Sequence, residues 1–272
     1  FADDTVYALG QGIVNYEDFV AMVYLKIALE GERAPAAIQH VIIDEAQDYT
    51  AVQYEIFRTV FRGCNMTILG DANQVVNAYM NAGSFDAIAG AFGAGSKRIA
   101  LTKSYRSSRE LADFCASLLA SPLRSEQLDR HGAKPKIVKV GHSGLHQRLA
   151  DDIAGLKSRG CRLIAVICKT APQCRAVYQA LGKLTDVRLI SNQNEACSGD
   201  VVVIPSYLAK GLEFDAVLVN SVETADYGAP EDRKLLYTVC TRALHELYLY
   251  YSDTLPGLVS GIDENLYTAD GA

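Results

Sequence analysis

Short apolar runs rich in β-branched side chains recur along the whole chain, separated by amphipathic stretches, and this alternation restricts the fold more than any other feature. The runs are HVIID (40–44), MTILGD (66–71), RIAL (98–101), KIVKV (136–140), RLIAVIC (162–168), VRLIS (187–191), VVVIPS (201–206), AVLVNS (216–221) and LYLYYS (247–252). Each reads as a strand buried on both faces, since a strand with one wet face would alternate apolar and polar residues. SSRELADFCASLLA (107–120) and APQCRAVYQALGKL (171–184) carry helical periodicity between them. Strand and helix in alternation predict an α/β fold with parallel sheets flanked by helices.

Carboxylates punctuate the ends of two runs. Asp44 and Glu45 follow Val41, Ile42 and Ile43, and Asp71 and Gln74 follow the run ending at Gly70. In open parallel sheets, ligands bind at the carboxyl ends of the strands. A carboxylate there can hold a Mg²⁺ ion that bridges nucleotide phosphates. Taken alone, the acidic pair also fits a helix start, with Asp48 capping YTAVQYEIFRTVF (49–61).

A phosphate cradle of the form G-x-x-x-x-G-K-[ST] is missing from the sequence. GAFGAGSKR (90–98) approaches it, but Ser96 intervenes before Lys97 and Arg98 stands where the hydroxyl belongs, so it reads as an ordinary loop. Downstream, Tyr105 and Arg106 precede a predicted helix, where an aromatic face can stack a base and a guanidinium can reach a phosphate. Gly211, Glu213 and Asp215 fall in a turn that leads into a strand, and Arg242 is expected on a helix within residues 231–252.

In this order, DEAQD (44–48), GDANQ (70–74), SYRSS (104–108), KGLEFD (210–215) and LLYTVCTRAL (235–244) resemble motifs II to VI of superfamily 1 helicases of the UvrD/Rep/PcrA type. The wording of residues 204–219 and 235–251 is most similar to the HelD, or helicase IV-like, branch, whose best-known members act on bacterial RNA polymerase. The resemblance implies two RecA-like domains with ATP and Mg²⁺ in the cleft between them. The end of the first is expected over residues 1–104 and a complete second over 105–272. Asp44 would hold Mg²⁺ through water, Glu45 would polarise the attacking water, and Gln74 would sense the γ-phosphate. Tyr105 would stack on adenine, and Glu213, in the turn of Gly211, would bond the ribose. Arg106 and Arg242 would act as arginine fingers, which can be worth roughly 10³ to 10⁵ in rate. Asp48 and Asp71 lie in matching motifs, where support of loop geometry is as good a reading as ligand contact.

Residues that face DNA in walking relatives are replaced. The aromatic and arginine-rich Y-R-W-R-G that follows motif III in those enzymes corresponds to NAYMNAG (77–83), which leaves Tyr79 between Ala78 and Met80. In motif V, Pro205, Tyr207 and Leu208 stand where the relatives have Thr, His and Ser. Tyr79 and Tyr207 remain the candidate nucleic-acid contacts. The segment between Arg106 and Lys210 is too short for the mobile subdomain that UvrD-type enzymes insert there.

Charge agrees with a reduced role for nucleic acid. Of 26 Lys and Arg and 32 Asp and Glu, residues 1–100 hold 6 and 12, leaving 20 of each (26 − 6 and 32 − 12) for residues 101–272. No basic stripe could hold phosphates unaided. The seven cysteines form no C-x-x-C pair, His142 and His146 lack a third zinc ligand, and no apolar run reaches membrane-spanning length. These point to a cytoplasmic protein with reduced thiols. The opening FADDTVYALG reads as a cut through a longer chain, so the missing Walker A loop is expected upstream and these residues alone are expected to be inactive. Three functions are compatible with the motifs: a HelD-like motor remodelling RNA polymerase or nucleic-acid complexes, a conventional DNA helicase of repair or replication, and an ATP-binding interaction module without turnover.

Overall fold

The computed structural model describes residues 2–31, 34–35, 37–74, 85–93, 95–101, 103–120, 126–127, 130–192 and 200–271. The chain divides into two compact units, Phe1–Ile99 and Ala100–Ala272.

In the first unit, helices α1 (Ala2–Gly10) and α2 (Tyr16–Glu30) precede strand β1 (His40–Ile43), helix α3 (Ala51–Val60), strand β2 (Asn65–Ile68) and helix α4 (Phe85–Phe92). β1 and β2 are parallel, with Ile43 opposite Ile68. A small core of Ile43, Ala46, Tyr54 and Ile88 lies against them. α3 is capped by Thr50 rather than Asp48: the Thr50 hydroxyl accepts from the Gln53 amide, and the Gln53 side chain accepts from the Thr50 N–H. Asp48 itself sits inside a one-turn 3₁₀ segment at Ala46–Asp48, two residues too early to cap.

The second unit contains β3 (Lys103–Ser104), α5 (Arg109–Ser117), β4 (Glu126–Gln127), β5 (Lys136–Lys139), α6 (Leu145–Ser158), β6 (Ile164–Cys168), α7 (Ala171–Leu181), β7 (Arg188–Leu189) and β8 (Val201–Pro205). There follow α8 (Ser206–Ala209), β9 (Phe214–Val219), α9 (Thr224–Tyr227), α10 (Asp232–Cys240), β10 (Ala243–Tyr251), α11 (Gly257–Ser260) and β11 (Thr268–Asp270). Seven strands form one sheet in the order β11-β5-β10-β9-β6-β8-β7, and every pairing within it is parallel.

The continuous apolar runs have a simple cause. Alternate residues of β6 face opposite layers. Ala165 and Ile167 pack with Leu111 and Phe114 of α5 and Val239 of α10, while Ile164, Val166 and Cys168 pack with Leu149 and Ile153 of α6 and Val177 of α7. With helices over both faces, neither set can be polar.

Two further expectations fail. RIAL (98–101) forms no strand; Ile99 and Leu101 are exposed by 72% and 89%, and the nearest ladder among the described residues joins Lys103–Ser104 to Glu126–Gln127. A β-branched run becomes a strand only where a partner edge and a covering layer exist. Arg242 is not on a helix: α10 ends at Cys240, Thr241 closes it, and β10 begins at Ala243. None of the described helices is long and apolar enough to cross a membrane. The six described cysteines are free thiols.

Candidate functional site

At the carboxyl end of the first unit's sheet, the loops after β1 and β2 are joined directly. The Ala46 N–H donates to the Leu69 carbonyl (2.9 Å), and the Leu69 N–H donates to that of Ile43 (2.8 Å). Asp44 is exposed, and its Oδ1 accepts from the Glu45 N–H (2.8 Å). Glu45 has φ 50° and ψ 41°, and among the described residues it alone has positive φ without being glycine. That conformation costs an L-residue about 1 kcal/mol or more. It persists because Ala46 is anchored on both sides, its N–H by Leu69 and its carbonyl by the hydroxyl of the buried Tyr54. Desolvation pushes the Tyr54 phenol well above its usual range, which keeps it a donor.

Between the loops lies a residue that motif reading passed over. Gln47 is 5% exposed. Its Nε2 donates to Glu45 Oε2 (2.7 Å) and to the Gln74 carbonyl (3.1 Å), and its Oε1 accepts from the Asp71 N–H (3.0 Å). Gly70 makes room for it: a Cβ there would stand 2.4 Å from Gln47 Oε1 and 3.0 Å from the Ala46 nitrogen. Asp71 bonds within its own loop, its Oδ1 accepting from the Asn73 N–H (2.9 Å) and its Oδ2 from Gln74 Nε2 (3.0 Å). Asp44, Glu45 and Gln74 thus belong to one hydrogen-bonded assembly.

The same edge bears on the metal. No group of three or more His, Cys, Asp or Glu that could hold a metal exists among the described residues. A single exposed carboxylate at a strand end fits Mg²⁺, which keeps most of its waters and takes its remaining ligands from phosphates; it does not fit an ion caged by protein.

In the second unit, Arg106 Nε lies 2.6 Å from Glu213 Oε1, with both side chains a little under half exposed. Tyr105 beside them is 62% exposed, free to present its ring to solvent. Gly211 has φ 78° with open space where a Cβ would project, so conformation and not crowding selects glycine there. Asp215, grouped with Glu213 in the sequence, faces elsewhere and accepts from the Arg162 and Leu163 N–H groups (2.7 and 3.0 Å). Burial alone would raise its carboxyl, but those two N–H groups, helped by His245 and Arg162, hold it below the ordinary value.

Arg242 is 1% exposed. Its Nε donates to the Thr238 carbonyl (3.0 Å), its Nη1 to the Leu212 carbonyl (3.3 Å) and its Nη2 to Thr241 Oγ1 (3.3 Å). The turn at 211–213 therefore touches both arginines, Arg106 through the Glu213 carboxylate and Arg242 through the Leu212 carbonyl. Lys169, at the carboxyl end of β6, ties α9 to the start of α10, donating to the Asp226 carbonyl and to Asp232 Oδ1 (2.6 Å). Its own carbonyl accepts from the buried Ser206 (2.9 Å). Tyr207 is 46% exposed. Tyr79 lies outside the described residues. His142 pairs with Asp253 (3.1 Å) on the surface.

The parallel seven-stranded sheet flanked by helices is consistent with the RecA-like domains of helicases. Comparison with known proteins agrees. Residues 15–86 match the UvrD/REP helicase N-terminal domain and residues 200–250 the UvrD-like helicase C-terminal domain. The crystal structure of the C-terminal domain of a possible DNA helicase from Lactobacillus plantarum WCFS1 is 34% identical, with a TM-score of 0.54 over 62% of this chain and 99% of that one. A putative ATP-dependent DNA helicase of Acanthamoeba polyphaga mimivirus is 26% identical over an alignment of 268 positions that covers 86% of this chain and 38% of the relative. The RecB subunit of the RecBCD enzyme of Mycolicibacterium smegmatis is 24% identical over an alignment of 218 positions that covers 63% of this chain and 20% of the relative. The chain belongs to the UvrD/Rep superfamily 1 helicases. It spans well under half the length of these two curated relatives.

Proposed function

We propose that this chain is part of an ATP-hydrolysing superfamily 1 motor. Glu45 orients the attacking water, Asp44 holds Mg²⁺ through water, and Gln74 senses the γ-phosphate. Tyr105 and Glu213 take the adenine and ribose, and Arg106 and Arg242 stabilise the charge on the transferring phosphoryl group. Mg²⁺ supplies charge neutralisation when bound, and the protein's part is positioning. The observation that carries this reading is the single hydrogen-bonded assembly of Asp44, Glu45 and Gln74 at the carboxyl edge of a parallel sheet. Because the sequence has no Walker A loop, these 272 residues do not turn over ATP unaided.

The partner proposed is RNA polymerase, on the HelD-like wording of residues 204–219 and the replaced DNA-facing positions. Free DNA is the second reading, favoured by the names of the two curated relatives. Both are tested on the longer protein carrying a Walker A loop. Glu45→Gln is expected to keep ATP affinity while losing turnover, since it keeps shape and removes a group that orients water. Unchanged turnover would refute the assignment of Glu45 as the water-orienting group, and absence of ATP turnover in the unsubstituted longer protein would refute the ATPase assignment. Retention of polymerase core in a pull-down, with single-strand affinity no better than about 10⁻⁶ M at physiological salt, supports the first partner. Nanomolar strand binding with ATP-driven unwinding and no polymerase retained establishes the second.

A further inference from the structure

We propose that Gln47 is a positioning residue for ATP hydrolysis, its buried carboxamide setting the Glu45 carboxylate by reference to the loop at 70–74. This rests on the reading of Glu45 as the water-orienting group.

The carboxamide has one chemically allowed orientation. The Asp71 N–H can only donate and the Gln74 carbonyl can only accept, so Oε1 must face the first and Nε2 the second. Nε2 then presents its other hydrogen to Glu45 Oε2. The contacts close a ring. Gln47 Nε2 bonds the Gln74 carbonyl, Gln74 Nε2 bonds the Asp71 carboxylate, and the Asp71 N–H returns to Gln47 Oε1. A ring of this kind moves as a body, because displacing residues 71–74 withdraws an acceptor and a donor from the same amide group. From the ring, Gln47 Nε2 reaches out to the Glu45 carboxylate.

The backbone of Glu45 is held separately, through Ala46, by Leu69 and Tyr54. A shift of the 70–74 loop therefore turns the carboxylate without releasing the strand end. Gln74 senses phosphate in the proposed cycle, so Gln47 supplies a path of two hydrogen bonds from the sensor's main chain to the group that orients water. Gly70 permits the path, since any side chain there would occupy the position of Oε1.

The test uses the longer protein with its Walker A loop, and ATP turnover and binding as readouts. Gln47→Met keeps the length and removes all three hydrogen bonds, and Gly70→Ala crowds Gln47 Oε1 without altering its chemistry, while also pressing on the Ala46 nitrogen and the Phe85 ring. Both are expected to lower kcat by about 10²-fold, as misplacement of a reacting group by about an ångström does. The KM and Kd for ATP should stay within threefold. In a Glu45→Gln background, neither should lower the residual turnover further, because the group they position is already gone. A purely architectural role predicts the opposite, with the same fractional loss in both backgrounds.

Gln47→Asn, which retains the amide but is shorter by a methylene, covers the case in which the methionine variant does not fold, and is expected to fall between wild type and Gly70→Ala. Wild-type kcat in folded Gln47→Met or Gly70→Ala protein, or losses that multiply with Glu45→Gln, would overturn the proposal. If Glu45→Gln alone leaves turnover unchanged, the assignment of Glu45 fails first and takes this proposal with it.

Discussion

Replacing Arg242 by alanine should unfold the second unit at lower denaturant as well as stop turnover, and the two effects can be separated. The guanidinium is 1% exposed and donates to two main-chain carbonyls and one hydroxyl. Truncation leaves the Leu212 carbonyl without this donor, at about 1 to 3 kcal/mol for a buried acceptor, while the Thr238 carbonyl keeps the Thr241 hydroxyl (2.9 Å). It also removes two methylenes of packed stem, worth about 0.8 kcal/mol each. Two of the three bonds are long, and release of a desolvated cation offsets part of the loss. A net cost of about 3 kcal/mol follows, or a fall of about 1 to 2 M in the urea midpoint at an m-value of about 2 kcal/mol/M. Far-UV circular dichroism of the 272-residue chain in a urea series measures it. Arg242→Met fills the stem volume but brings no donor, so it should recover the packing part, about 1.6 kcal/mol, and leave the rest of the loss in place. In the longer protein, turnover should nonetheless stay down by about 10³-fold, the low end for an arginine finger. A midpoint for Arg242→Ala within 0.2 M of wild type would refute the buried hydrogen-bonded geometry, and full turnover by Arg242→Met would refute the finger.

Two further outcomes follow from single side chains. Thr50→Ala should destabilise the first unit by about 1 kcal/mol through loss of its cap, whereas Asp48→Ala should change stability by less than about 0.5 kcal/mol; amide exchange over residues 50–60 reads both. Asp215 has its folded carboxyl held below the ordinary 3.8, so its contribution is fully present above that value and is lost as pH falls through the depressed folded value. Acid unfolding followed from pH 5 downward should be less steep in Asp215→Asn, and an unchanged curve would show that the two N–H contacts to Asp215 carry no differential stability.

The second sheet was legible because its strands are covered on both sides, which forces runs with no polar interruption. The same rule misled at RIAL, where composition is strand-like but no partner edge is present among the described residues. The cap of α3 was also written in the sequence, as Thr50 with Gln53 three residues on; acidity drew the reading to Asp48 instead. Arg242 was placed on a helix because residues 232–240 keep their periodicity up to Cys240, and only the turn at Thr241 ends it. Gln47 could not be found by spacing. Its partners are two backbone groups and a neighbouring carboxylate, and backbone groups leave no mark in a sequence.

Strand order has a consequence for how the second unit comes together. β5 (Lys136–Lys139) lies between β10 (Ala243–Tyr251) and β11 (Thr268–Asp270), so both of its edges wait for residues made more than a hundred positions later. β6, β8 and β9 are nearer in sequence and share the centre of the sheet. Loop-closure entropy therefore favours a nucleus of β6, β8 and β9, with β5 held open and adhesive until β10 arrives. During synthesis, β5 emerges before any strand of the large sheet and acquires its neighbours last, which makes it the segment most exposed to wrong partners while the protein is being made.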